Sequence, residues 1–264
     1  MAVFASKPRP APHYESFWLP APYRQTLAYR VSGAGRPVVL LHGLWNHSAI
    51  WQRSLDHFSP HYQLYAPDLP GHGKTPHSQP WKLRSVAGML ALWMRSLALP
   101  PLTLVGHSLG GALAIILAAA EPKLVSRVML VDAAGLPIRR PFVRTLTRAG
   151  LKVANRPTAR YTSRYADTAR PTSLAFWQAA DELLYTDLRP DLHAIHCPTL
   201  ILWGARDPIL PVQRAVALQR CLPGSELVML PGVGHQPPRD APAAFQHILT
   251  HFLASEDTPT SVVG

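Results

Sequence analysis

Residues 102–111 read Leu-Thr-Leu-Val-Gly-His-Ser-Leu-Gly-Gly. An apolar stretch of strand length runs into Gly106-x-Ser108-x-Gly110, and the apolar segment from Leu109 to Glu121 follows at helix length. A chain that turns so sharply from strand to helix brings backbone against backbone, so side chains at the two glycine positions would collide. Ser108 is left at the tip of the turn. Its hydroxyl lies at a helix N-terminus, where the dipole favours developing negative charge.

Working outward, the same grammar recurs. Val38–Leu41, Val128–Val131 and Leu200–Trp203 are short runs apolar on both faces, the pattern of strands buried in a parallel sheet. Helix-length segments separate them: Ser48–Phe58, Lys82–Leu99, Val212–Cys221 and Pro242–Leu253. Alternation of this kind predicts an α/β fold, a mostly parallel sheet covered by helices on both faces. Upstream, Phe17–Leu19 and Thr26–Val31 flank a Pro-Ala-Pro turn and predict an antiparallel lead-in hairpin. One connection is too long. Residues 136–192 lie between strands and predict a helical lid inserted after the sixth strand, dividing the core into 14–135 and 193–255. The proline-rich or polar termini, 1–13 and 256–264, are expected to be loose.

A serine hydroxyl becomes a nucleophile only when a base takes its proton and an acid orients that base. For this type of turn the order along the chain is serine, acid, histidine. Asp207, in LILWGARDPILP, sits just past a buried strand, and His235, in ELVMLPGVGHQPP, follows the last one. Asp132, at the end of Val128–Val131, is the competing acid, and Asp207 has a plainer alternative role in capping the turn before Pro208. Two N–H donors are also needed for an oxyanion. The backbone N–H of Leu109 is one candidate, and that of Leu44, in the His42-Gly43-Leu44 loop, is the other. His42 is read as fixing that loop by hydrogen bonding. Trp45, His107, Phe142 and Trp177 are candidates for the substrate pocket, with Phe176 and Tyr185 as further aromatics; the plainer reading of any one of these aromatic rings is core.

These motifs, in this order, make the chain resemble the serine members of the α/β-hydrolase family. The likeness rests on His42-Gly43 after a strand, Gly106-x-Ser108-x-Gly110, Trp203-Gly204-x-x-Asp207-x-x-x-Pro211 and Gly234-His235 ahead of a terminal helix. It implies the α/β-hydrolase fold over about residues 14–253. It also implies ester cleavage through an acyl-enzyme on Ser108, with no metal and no organic cofactor. A carbon–carbon bond hydrolase acting on an anionic dicarbonyl compound is the alternative enzyme. A non-catalytic receptor or accessory protein on the same fold is the alternative outside enzymes.

The resemblance also settles the stretch Pro67-Asp-Leu-Pro-Gly-His-Gly-Lys-Thr75, whose last three letters mimic a phosphate-binding loop. A P-loop needs glycine where Asp68 stands, and a dinucleotide fingerprint needs glycine where Pro76 stands. In the family this stretch is a structural loop, with Lys74 solvated.

Composition bounds the remainder. The chain has 264 residues and 47% hydrophobic content, which fits one large domain. Two cysteines and no signal-peptide pattern lead to the expectation of a cytoplasmic protein. The net charge of +11 is uneven: between Leu136 and Pro171 there are nine Lys or Arg against Asp167 alone. Arg140, Arg144, Arg148, Lys152, Arg156, Arg160 and Arg164 recur every fourth residue, with Phe142, Leu146, Ala149 and Val153 on roughly the opposite helical face. No nucleic-acid motif accompanies the charge. The expected partners are a small ester and, through the basic lid, an anionic substrate group or membrane surface.

Overall fold

The structure, a computed structural model, describes residues 11–77, 80–137 and 174–255. Its strands are β1 (His13–Leu19), β2 (Gln25–Ser32), β3 (Arg36–Leu41), β4 (Tyr62–Pro67), β5 (Leu102–His107), β6 (Val125–Val131), β7 (Thr199–Gly204) and β8 (Glu226–Leu230). They form one sheet in the order β1-β2-β4-β3-β5-β6-β7-β8. β1–β2 and β2–β4 pair antiparallel, and every later pairing is parallel. The helices are α1 (Gln52–Phe58), α2 (Leu83–Ser96), α3 (Leu109–Ala120), α4 (Leu174–Tyr185), α5 (Arg189–His193), α6 (Gln213–Cys221), α7 (Pro237–Asp240) and α8 (Pro242–Ala254).

The period-2 alternation of buried strands divides the core in two. Val39 and Leu41 of β3, with Leu104 of β5, face the side covered by α2, α3, α4 and α6. Val38, Leu40 and Val105 face the opposite side, where Trp51 and Phe58 meet Phe245 and Leu249 of α8. α2 is amphipathic, burying Val86, Leu90, Trp93 and Met94 while Arg84 and Arg95 stay exposed. α3 is apolar all round and correspondingly buried almost throughout, as befits a helix wedged between sheet and neighbouring helices. Truncating one such core side chain costs about 2–5 kcal/mol.

Two boundaries differ from the expectations. β1 begins at His13 because Tyr14, Glu15 and Ser16 lie on a sheet edge where half the side chains meet water, so its apolar signal is weak. α2 stops at Ser96: Ala98 has φ of 49° and Pro100 follows, so the backbone cannot continue as helix. The loop at 67–75 is structural. Asp68 Oδ1 accepts the Ser48 N–H at 2.7 Å and Oδ2 accepts the Lys74 N–H at 2.9 Å. Lys74 is exposed, as expected, and its ammonium lies 3.9 Å from the centre of the Tyr14 ring.

The described ends of the long connection are pinned to the core. Leu188 N–H donates to Gly135 O at 2.8 Å, and the Arg214 guanidinium on α6 donates to the carbonyls of Leu136 and Pro137. Glu182 of α4 accepts the Leu83 N–H at the start of α2 at 3.0 Å and pairs with Lys82 at 2.9 Å. A carboxylate at a helix N-terminus is favourably placed against the dipole. Arg84 and Asp191 add a two-pronged ion pair at 2.9 Å for each bond. Phe142 and the periodic basic residues from Arg140 to Arg164 lie outside the described residues.

Candidate active site

The strand order delivers three side chains to one rim of the sheet. Ser108 follows β5 at the turn into α3, with φ of 53° and ψ of −111°. Such a conformation is strained for a residue with a side chain and persists only when the surroundings hold it. They do: Ser108 N–H donates to Val131 O at 3.0 Å, and Ser108 O accepts N–H bonds from Gly111, Ala112 and Ala134. The flanking glycines are steric requirements. A Cβ on Gly106 would lie 2.3 Å from Gly110 O, and one on Gly110 would lie 2.3 Å from Leu41 O.

His235, in the loop between β8 and α7, has Nε2 3.0 Å from Ser108 Oγ. Its Nδ1 is 2.6 Å from Asp207 Oδ2. With Asp207 ionised, Nδ1–H donates to the carboxylate and Nε2 is left to accept the serine O–H. Asp207 bonds both the imidazole and its own turn. Its Oδ1 caps the turn after Pro208 by accepting Ile209 and Leu210 N–H at 2.7 and 2.9 Å, which aims Oδ2 at the imidazole. Trp203 Nε1 donates to Leu210 O at 2.9 Å, tying that turn to the end of β7. All three side chains are nearly buried, with Ser108 the most accessible at 8%. The competing acid, Asp132, lies beside this group without bonding the imidazole nitrogens.

The backbone donors are placed by histidines. His42 Nε2 accepts the Leu69 N–H at 2.9 Å, so its proton sits on Nδ1 and donates to Gly43 O at 2.8 Å. That carbonyl belongs to the peptide that carries the Leu44 N–H, and Asn46 N–H holds it from another side at 3.1 Å. Burial foremost, and the neighbouring His72 ring, hold His42 well below the usual imidazole range, so it stays neutral. His72 lies between two carbonyls, Pro70 O at 3.0 Å and Leu44 O at 2.8 Å. Burial favours its neutral ring, which donates to one of them at a time. Leu109 is the first residue of α3, so its N–H has no partner within the helix.

A cleft opens beside Ser108. Among the described residues its walls are Leu44 and Trp45 from the β3 loop, Ala134 after β6, Ala180 and Leu183 from α4, and Ile209 and Leu210 from the Asp207 turn. Apart from Ser108 every one of these side chains is apolar. Trp45 lines this cleft, backed by the buried Phe176 ring at 5.8 Å. Two other pocket candidates are corrected. His107 is buried behind the site, its Nε2–H donating to His235 O at 2.6 Å, because alternation along β5 turns it away from the cleft. Trp177 is half exposed on the outer face of α4, and Tyr185 is more exposed still, since helical spacing puts Ala180 and Leu183 inward instead. Ile209 and Leu210 were within reach of the sequence as neighbours of Asp207. Ala180 and Leu183 carried no local signal.

His107, Asp132 and His235 offer ligand atoms within 4.8 Å of one another. A cation there would compete with bonds that His235 already makes at both nitrogens. Among the described residues no helix is long and apolar enough to cross a membrane.

Residues 38–246 match the Alpha/beta hydrolase family. The pimeloyl-[acyl-carrier protein] methyl ester esterase of Nitrosomonas europaea is 31% identical over 241 residues, covering 81% of this chain and 94% of that protein. Lipase LipV of Mycobacterium tuberculosis is 42% identical over 106 residues, 40% of each chain. Among solved structures, a bacterial membrane phospholipase A superimposes with a TM-score of 0.81 at 25% identity, covering 94% of this chain and 88% of that one.

Proposed function

The chain belongs to the alpha/beta hydrolase family, and on that premise we propose that it cleaves carboxylic esters by acyl transfer to Ser108 and then to water. The observation that carries this reading is the continuous line from Asp207 through His235 to Ser108, with bonds of 2.6 and 3.0 Å. Relatives named for methyl ester hydrolysis and as a lipase support an ester as the substrate class.

In the first half-reaction Ser108 Oγ attacks the ester carbonyl carbon while His235 Nε2 takes the hydroxyl proton. Asp207 holds Nδ1–H and stabilises the imidazolium that forms. The carbonyl oxygen becomes an oxyanion and accepts hydrogen bonds from the Leu44 and Leu109 N–H groups. The tetrahedral intermediate collapses, the C–O bond to the leaving group breaks, and His235 returns its proton to the departing alkoxide. In the second half, His235 removes a proton from water as it attacks the acyl carbon; the C–O bond to Ser108 then breaks, and His235 returns the proton to Oγ as the acid leaves. The apolar cleft suits the hydrocarbon part of an acyl chain and excludes water from the developing charge.

The test is turnover of a short-chain aryl ester, together with labelling by a serine-reactive phosphonate. Ser108→Ala is expected to lower kcat by about 10⁴-fold or more and to abolish labelling. Labelling of the variant at the wild-type rate would remove Ser108 from the scheme. Binding of esters without repeated turnover by the wild-type protein would favour a receptor.

A further inference from the structure

The buried acid at the end of β6 is not used by the scheme above, yet it lies against it. Asp132 is 0% exposed and its φ of 41° lies in the left-handed region, which is costly for a residue with a side chain. Its Oδ1 accepts the Gly204 N–H at 2.9 Å. Its Oδ2 is buried with no hydrogen-bond donor. Orphaned buried oxygens are rare because each costs free energy, and a carboxyl can resolve the deficit by keeping its proton and turning from acceptor to donor.

The surroundings favour that choice. The titratable groups that face Asp132 are Asp207 from the turn after β7, Asp240 from α7, and His107 and His235. Burial first, and then the Asp207 charge, push the Asp132 carboxyl well above the usual carboxylate range. Asp207 also has room for a further bond. A carboxylate offers about four acceptor directions. Two are taken on Oδ1 by Ile209 and Leu210 N–H, and one on Oδ2 by His235. Gly204 joins the two acids, its N–H bonding Asp132 Oδ1 at 2.9 Å and its carbonyl accepting the Asp207 N–H at 3.1 Å, and a carboxylate oxygen of Asp132 lies within 4.8 Å of a His235 ring nitrogen.

We propose that Asp132 is a positioning residue for the site, a carboxylic acid that keeps its proton and donates it to Asp207. The bond fixes the Asp207 carboxylate from the side opposite its turn and disperses part of its charge. His235 then meets a weaker anion than a free carboxylate, and returns more readily to the neutral form that Ser108 needs. This role rests on the proposed function of Asp207, but the protonation of Asp132 itself does not.

The experiment uses the full chain and two substitutions. Asp132→Leu removes the donor and the Gly204 acceptor at similar volume. Asp207 then becomes a stronger partner for imidazolium, and the acid limb of kcat/KM on an aryl ester is expected to move up by about one pH unit. Asp132→Asn retains an acceptor for Gly204 N–H and an N–H donor for Asp207. It is expected to bring the limb back and to recover most of the lost activity. An ionised Asp132 predicts the opposite sign: Asp132→Asn would delete a negative charge and move the limb down, which would overturn the proposal. Infrared difference spectra of wild type against Asp132→Asn supply a second readout, independent of turnover and of whether Asp132→Leu folds. A carboxylic acid C=O band present only in the wild type at neutral pH is the expected result, and its absence refutes the proposal. If the band is present while Ser108→Ala retains turnover, the hydrolase mechanism fails and the Asp132 assignment stands.

Discussion

Replacing His107 by glutamine isolates the cost of a buried imidazole. The ring is 1% exposed, and burial above all, with His235 beside it, pushes its pKa from 6.5 to about 3. The folded protein therefore binds no proton at this site between those two values, whereas the unfolded chain does. Stability from this residue is complete above pH 6.5, falls as the pH drops through the window, and levels off below about 3. A shift of roughly 3.5 units corresponds to about 5 kcal/mol in full, of which about 3 kcal/mol is lost between pH 7 and pH 4. Glutamine keeps an N–H for the His235 carbonyl, which His107 meets at 2.6 Å, and does not titrate. His42 and His72, also buried and lowered, remain in both proteins and cancel. Urea unfolding at pH 7 and pH 4 is the assay. Wild type is expected to lose about 3 kcal/mol more than His107→Gln, or about 6 °C in Tm for a chain of this size. Equal losses would refute the reasoning.

Three further outcomes follow from the geometry. Gly110→Ala drives a Cβ to 2.3 Å from Leu41 O, a backbone atom that cannot swing aside. Unfolding free energy is expected to fall by about 2–4 kcal/mol and phosphonate labelling of Ser108 to slow. Trp203→Phe removes the bond to Leu210 O that steadies the Asp207 turn. It is expected to cost about 1–3 kcal/mol in denaturation and to lower kcat more than it raises KM. Ala180→Phe fills the cleft from the α4 side. KM for long acyl esters is expected to rise relative to acetate esters, with stability little changed, as measured across an acyl-length series.

The sequence reading reached furthest where a residue's role is set by its immediate neighbours. The turn at Gly106–Gly110 was legible because two steric clashes and one strained serine leave few residue choices. The buried strands were legible because a strand covered on both faces must be apolar at consecutive positions. His42 was read as a loop-fixing residue, and its two bonds bear that out. Reading was poorer where roles depend on facing. His107 neighbours Ser108 in sequence, but alternation along β5 sends its ring to the far side. Trp177 and Ala180 lie on one helix, and only the packing of α4 shows that the small residue lines the cleft and the large aromatic does not.

The choice between two acids shows the division most clearly. Asp132 and Asp207 both follow buried strands and both stand between Ser108 and His235 in the chain, and only the resemblance of Trp203-Gly204-x-x-Asp207 to a family motif favours the second. Strand pairing separates them: Val131 lies opposite Leu202, so Asp132 ends level with the β7 backbone, while Asp207 is carried past it into a turn that meets His235. Local composition governs backbone preference over a few residues, because those effects act through neighbouring atoms. Distances between side chains that are 28 or 127 positions apart are set by the order and register of the sheet. Which groups could react was therefore written in the chain, and which of them meet was decided only when the sheet brought its strand ends together.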